Sequence, residues 1–162
     1  MKEVIIGKQK YDIDVDDNII LVFDCDSNFD KINKVKKSKV ETVKDIVDDL
    51  GFKICFLNYS FEIWILNHFE KVVDVYDSSS GELELKVRRN LNLLNSLYYE
   101  YKSDKQIYDK LKGKLDVAIK NSDELLKERE EQGIEIYSKE SNPVTQVGEL
   151  IKQILEDFKN LR

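Results

Sequence analysis

The chain has 162 residues, of which 36% are charged and 41% hydrophobic, and its net charge is −6. These values predict one water-soluble domain with its own core, and they argue against a protein that coats DNA non-specifically. The chain has neither a signal-peptide pattern at its start nor a run of about 18 apolar residues, which a membrane span needs. We therefore expect a cytoplasmic protein without membrane contact.

The N-terminal part of the chain predicts three extended segments. Residues 4–6 are typical of a short strand, and residues 11–17 alternate in a way that indicates a strand edge or an extended polar arm. Residues 19–24 read IILVFD, and this apolar run predicts a strand that is covered on both faces, as in a parallel sheet.

A helix and another strand follow. Ser38 and Glu41 form a capping-box pattern, apolar residues then recur at helical spacing, and Gly51 stands where a C-cap belongs. Residues 52–57 predict the next strand. Strand, helix and strand in this order predict the crossover unit of a parallel sheet.

The remainder of the chain predicts mostly helix. Ser60 begins a helix that ends near residue 70, residues 72–77 are extended, and residues 78–81 form a loop. Further helices are predicted over residues 83–101, 104–119, 122–132 and 145–161. We therefore predict an α/β fold with a small, mostly parallel sheet and flanking helices. It forms one domain, in which a helical half, residues 82–162, packs on an α/β core, residues 1–77.

Acidic side chains cluster where functional sites of parallel sheets lie. Asp24 and Asp26 end the apolar strand, and side chains two apart in a strand point to the same face. Such sites lie outside the C-terminal strand ends, and Glu62, just after the next strand, can join the two aspartates there. Three carboxylates suit Mg²⁺ or Mn²⁺, and such a site can direct a metal-bound water at a phosphodiester.

A simpler interpretation of these residues stays open. Asp24 and Asp26 then only end a strand in an acidic loop, and the N-terminal end of the helix dipole favours Glu62. The lysines that follow are open to two interpretations as well, a groove for phosphate groups or a solvated loop. These lysines are Lys31, Lys34, Lys36, Lys37 and Lys39.

The histidine and the two cysteines are predicted to be packed side chains and not catalytic groups. His68 is the only histidine, which excludes a two-histidine site, and its neighbours favour a packed ring with a satisfied hydrogen bond. Cys25 and Cys55 form no CxxC pair, so both are predicted to be reduced thiols in or near the core. The absence of P-loop and GxSxG motifs argues against P-loop ATPase and serine-hydrolase chemistry.

Three stretches of the chain resemble the RloB-like family of Toprim-related proteins. One is LVFDCDSNF, a strand that ends in Asp-x-Asp, and another is NPVTQVGELI at residues 142–151, preceded by Tyr101-Lys102 and Ala118-Ile119. The most specific is NYSFEIWILNHFE at residues 58–70, which is similar to the family segment Asn-Pro-Cys-Phe-Glu-Leu-Trp-Leu-Leu-Leu-His-Phe. Its matching positions are Asn58, Phe61, Glu62, Trp64, Leu66, His68 and Phe69.

This resemblance implies a compact Toprim- or Rossmann-like sheet with clustered acids, and it makes Asp24 and Asp26 metal-binding candidates. It also implies a role in bacterial antiviral defence or abortive infection, often beside an ATPase encoded next door. Family members usually begin with a strand and a Glu-Gly-x-x-Thr-Glu turn, whose glutamate is the general acid/base of Toprim chemistry. This chain lacks that turn, since Glu3 precedes the candidate strand and Lys8 stands where an acid is expected.

Two hypotheses about function follow. In the first, the protein is a Mg²⁺- or Mn²⁺-dependent nuclease with Asp24, Asp26 and Glu62 as catalytic residues. Asp24 and Asp26 hold the metal, and the lysines at positions 31, 34, 36 and 37 contact nucleic acid. In the second, it is a catalytically incomplete interaction protein of defence or counter-defence. That protein acts through a partner, such as an ATPase or a nuclease subunit, or as a homodimer.

Overall fold

The structure is a computed structural model, and it describes residues 2–6, 9–13, 19–25, 38–77, 81–93 and 107–160. The strands are β1 (Lys2–Ile6), β2 (Gln9–Ile13), β3 (Ile20–Asp24), β4 (Lys53–Asn58) and β5 (Val144–Thr145). The α-helices are α1 (Lys39–Leu50), α2 (Phe61–Asn67), α3 (Glu82–Asn90), α4 (Ile107–Leu111), α5 (Leu115–Glu131) and α6 (Val147–Asn160). Two short 3₁₀ turns occupy Lys112–Lys114 and Lys139–Ser141.

A three-stranded sheet in the order β3-β4-β5 lies at the centre of the fold. β3 and β4 run parallel, with Asp24 opposite Leu57, whereas β5 runs antiparallel to β4, with Thr145 opposite Leu57. β1 and β2 form a separate antiparallel pair. The predicted α/β class is confirmed, but the sheet is mixed where a mostly parallel, Rossmann-like one was predicted.

The predicted crossover from β3 through α1 to β4 is confirmed. The backbone N–H of Ser38 donates to Glu41 Oε2 at 2.6 Å, and that of Glu41 donates to Ser38 Oγ at 3.2 Å, so the capping box is formed. Gly51 ends α1 with a φ of 69°, a left-handed conformation that side chains disfavour. Local backbone chemistry therefore fixes both ends of α1.

The prediction that β3 is covered on both faces is wrong. β3 is an edge strand, and among the described residues Leu21 and Val22 remain 40% and 56% exposed. The central strand is β4, and its side chains are buried on alternate faces. One face packs Cys55 and Leu57 with Trp64, Ala118 and Val147, and the other packs Phe56 with Cys25, Val40 and Val144.

Both cysteines are buried and neither forms a disulfide, as predicted. Cys25 is fully buried, and Cys55 is only 2% exposed. Burial, followed by the negative charge of Glu149, raises the pKa of the Cys55 thiol to about 11. A thiol in this environment stays protonated and unreactive at neutral pH.

The C-terminal part completes the sheet in a way that the sequence patterns did not indicate. β5 is only two residues long, and the chain then turns into α6 through Gln146. Gln146 continues the pairing with its own groups: its backbone N–H donates to the Phe56 carbonyl at 3.0 Å, and its Oε1 accepts from the Phe56 N–H at 2.9 Å. The predicted division into two packed halves of one domain stays a prediction.

Several predicted helix boundaries in the later part of the chain differ from the structure. α2 ends at Asn67 and not near residue 70, and the predicted helix 104–119 is broken by the 3₁₀ turn Lys112–Lys114. α5 runs without a break through positions 119–122, where two separate helices were predicted. α3 ends at Asn90, and positions 94–106 lie outside the described residues, so the rest of the predicted helix 83–101 is not covered. Residues 71–77 contain neither helix nor strand, and positions 78–80 of the predicted loop are not described. No helix in the described ranges is long and apolar enough to cross a membrane.

Candidate metal site at the ends of β3 and β4

Asp24 links the end of β3 to the start of α2. It is the last residue of β3 and lies opposite Leu57 of β4. Its Oδ2 accepts a hydrogen bond from the backbone N–H of Phe61 at 3.2 Å. The N–H groups of a first helical turn have no partner within their own helix, so the Asp24 carboxylate satisfies one of them.

Glu62 lies one residue further along, in the first turn of α2. Ser60 occupies the N-cap position, but its hydroxyl donates to Glu62 Oε2 at 2.8 Å and makes no cap bond to the helix backbone. Glu62 is therefore held at the same end of α2 that Asp24 contacts. The structure therefore places both predicted site residues at the C-terminal edge of the parallel pair, with Asp24 bonded to the backbone of the residue before Glu62.

The other predicted site residues belong to the segment between β3 and α1. Asp26, Lys31, Lys34, Lys36 and Lys37 lie outside the described residues. Lys39, the last lysine of the predicted groove, is exposed at the first position of α1. Within the described part of the chain, no three His, Cys, Asp or Glu residues are grouped so that they could hold a metal ion.

The two described carboxylates fit the donor set of Mg²⁺. This ion is usually bound by one or two protein carboxylates, while waters and substrate phosphates complete its six positions. Each carboxylate oxygen can accept more than one interaction, so the contact with Phe61 is compatible with a role of Asp24 as a ligand. The same contact also gives Asp24 a structural role, as the simpler interpretation of the sequence expected.

Asn58 is a motif residue whose role sequence reasoning missed. Its side chain is buried, and its Nδ2 donates to the Ser138 carbonyl at 3.1 Å and to Ser141 Oγ at 3.0 Å. These bonds fasten the segment before β5 to the end of β4. The only signal in the sequence was the place of Asn58 in the family segment, since a lone asparagine after a strand also suits a turn.

Replacing Asn58 with alanine is expected to destabilise the fold by about 1–3 kcal/mol, because the buried Ser141 hydroxyl and the part-buried Ser138 carbonyl each lose a donor. The free energy of unfolding measured by urea titration tests this expectation. Asn160→Ala is the matched control, because Asn160 is exposed at the end of α6. Equal stability of the two variants would show that the two hydrogen bonds of Asn58 do not stabilise the fold.

His68 is packed as predicted. It is 3% exposed, its Nδ1 lies 3.0 Å from the Trp64 carbonyl, and its ring meets the Trp64 indole edge-on at 4.8 Å between centroids. In the neutral ring this contact places the proton on Nδ1, which donates to the carbonyl. Burial, the largest influence, lowers the pKa of His68 below its ordinary value.

The stability of the protein is therefore expected to depend on His68 in acid. Unfolded His68 takes up a proton near its ordinary pKa of about 6.5, before the buried ring does, so acidification below that pH favours the unfolded chain. The unfolding free energy of the wild type, relative to that of His68→Phe, should then fall on acidification, at most by about 1.4 kcal/mol per pH unit. Urea titrations over a pH series test this, and a pH-independent difference would contradict it.

A comparison with known protein families supports the resemblance that residues 58–70 indicate. The model of the RloB-like protein family matches residues 1–154, nearly the whole chain. The protein belongs to the RloB-like family. No curated protein and no solved structure matches the chain.

Proposed function

We propose that this RloB-like protein is a Toprim-related, divalent-metal-dependent nuclease of the cytoplasm that acts in the conflict between bacteria and phages. The observation that carries the proposal is the hydrogen bond between Asp24 and the Phe61 N–H. It holds one carboxylate of β3 against the helix turn that bears Glu62. Both acids therefore lie at the C-terminal edge of a parallel strand pair, and catalytic groups of open parallel sheets lie at this edge.

Each residue has a separate role in this proposal. Asp24 and Asp26 hold Mg²⁺ or Mn²⁺, and Glu62, fixed by Ser60, acts as a third acid or orients a ligand. The lysines at positions 31, 34, 36 and 37 contact the phosphate backbone of the nucleic acid. The metal neutralises charge that develops at the phosphodiester and activates a water molecule.

Digestion of supercoiled DNA and of RNA with Mg²⁺ or Mn²⁺ tests the proposal. We expect cleavage by the wild type and none by the double variant Asp24→Ala/Asp26→Ala. Asp157→Asn on α6 is the control, because Asp157 is exposed and lies outside the site. Equal cleavage by the double variant would remove these acids from the mechanism.

One observation favours a second function, that of an interaction protein without its own catalysis. The first strand of the chain is followed by the antiparallel strand β2, and not by the helix that a complete first Toprim unit requires. A partner chain, such as an ATPase of the same locus or a second copy, would then complete the site. Co-purification with that ATPase, or a stable dimer that cleaves nothing alone, supports this function.

A further inference from the structure

An exposed aromatic residue begins the helix whose first turn the candidate acids share. Phe61 is 46% exposed, although it is the first residue of α2 and is flanked by the buried Ser60 and Ile63. Its backbone N–H is the group that Asp24 binds. An aromatic ring open to water offers apolar surface on which a ligand with a flat apolar face can pack.

A second apolar side chain adjoins the same acid. Val22 lies two residues before Asp24 in β3, so both side chains point to the same face of the strand, about 7 Å apart along it. Val22 is 56% exposed. Val22 is therefore connected to Asp24 along β3 and Phe61 through the hydrogen bond, and both residues leave apolar surface open to water.

The combination of acids and apolar surface points to a particular ligand chemistry. A phosphodiester group bound at a metal between the acids brings its neighbouring nucleotides next to these apolar side chains. The faces of nucleobases stack on aromatic rings, but they are accessible only where the strand is unpaired. In a duplex each base face is covered by the next base pair, so no base face is available to stack on a protein side chain.

We propose that Phe61 is a stacking platform for an unpaired base, and that the substrate class of this site is single-stranded nucleic acid. This inference rests on the proposed function for the place where the phosphate binds. Phe61 acts here as a positioning residue that sets the register of the strand against Asp24 and takes no part in the chemistry. Val22 widens the apolar surface on which the base and its sugar rest.

Binding of fluorescein-labelled oligonucleotides of about 12 nucleotides, followed by anisotropy, tests the inference. DNA and RNA probes are used single-stranded and as duplexes, with the wild type as the parent, in Ca²⁺, which takes the same oxygen ligands as Mg²⁺ and is used here to keep the probe intact. We expect Phe61→Ala to weaken single-strand binding about tenfold, the size of one lost base stack. Phe61→Tyr should bind within about twofold of its parent, since it keeps the ring.

Three controls separate stacking from a general effect. Phe158→Ala removes the same side chain from a 65% exposed position on α6, and it should leave binding unchanged. Probes with abasic sites should bind the parent as weakly as intact probes bind Phe61→Ala. Duplex binding should not respond to Phe61→Ala, and circular dichroism confirms that each variant is folded.

Several outcomes would overturn the inference. They are wild-type affinity of Phe61→Ala for single strands, full affinity of the parent for abasic probes, or no binding of single strands at all. Failure of the proposed function has a different signature. If single strands bind through Phe61 while Asp24→Ala/Asp26→Ala changes neither cleavage nor metal binding, the stacking platform stands and the assignment of these acids as metal ligands falls.

Discussion

Replacing Asp24 with asparagine is expected to reduce metal-dependent cleavage by about 100-fold or more while the fold keeps its stability. A metal that polarises a phosphodiester contributes several kcal/mol to transition-state stabilisation, and a neutral amide in place of one anionic ligand forfeits much of it. The amide oxygen of asparagine still accepts the Phe61 N–H, which Asp24 Oδ2 accepts at 3.2 Å. The change therefore separates the charge of Asp24 from its contact with α2.

Asp24→Ala provides the contrast, because it removes both the charge and the acceptor. We expect it to lose cleavage to the same extent and, in addition, about 1 kcal/mol of stability, as when a helix loses a cap. Initial cleavage rates and urea titrations of the two variants give both quantities. If Asp24→Asn cleaves at the wild-type rate, the carboxylate is only a cap for α2, and the simpler interpretation of the acids is correct.

Replacing Gly148 with alanine is expected to destabilise the protein by about 1–3 kcal/mol, the cost of overpacking a rigid contact. Gly148 lies where α6 crosses α5, and a methyl group there would overlap Ser122 Oγ and press on Ser122 Cβ at 3.2 Å. Ser122 is fully buried and its hydroxyl donates to the Thr145 carbonyl at 3.4 Å, so its side chain cannot simply swing away. The Ile119 backbone, with Cα at 3.4 Å, closes the other side.

A double-mutant cycle tests whether the contact with Ser122 is the cause. Ser122→Ala in the Gly148→Ala background should recover part of the lost unfolding free energy, so the double variant is more stable than the sum of the single changes. Gly113→Ala is the matched control, since a methyl group there meets nothing within 4 Å. Additive effects of the two changes, or an equal loss in Gly113→Ala, would contradict the proposed overlap.

Local signals predicted the first half of the fold because they describe backbone chemistry that needs no distant partner. The capping box of Ser38 and Glu41 and the left-handed Gly51 both act within a few residues. Ser122, in contrast, was predicted to begin a new helix, but it stands inside α5, as does its neighbour Asn121. The polar groups of Asn121 and Ser122 are used at long range, by the carbonyls of Asn67 at 2.8 Å and Thr145 at 3.4 Å.

The predicted strand order gave the location of the candidate site but not its contacts. Parallel pairing of β3 and β4 follows from the strand-helix-strand pattern, and it places Asp24 and Glu62 at the same edge. The contact of Asp24 with the Phe61 N–H depends on how α2 leaves β4, which no periodicity encodes. β5 was missed for another reason, because two residues are too few to show an alternating pattern.

The pairing of β4 with β5 has a consequence for how the chain matures. Leu57 of β4 pairs with Thr145 of β5, and a long segment of chain separates them. The chain must pay the entropy of closing that loop before the pairing can stabilise the fold. On the ribosome, β3, α1 and β4 emerge long before Gln146 reaches Phe56. During that interval one edge of β4 has no strand beside it, and an open edge is a template for pairing with other chains. The newly made protein is therefore most prone to aggregate before β5 and α6 are released.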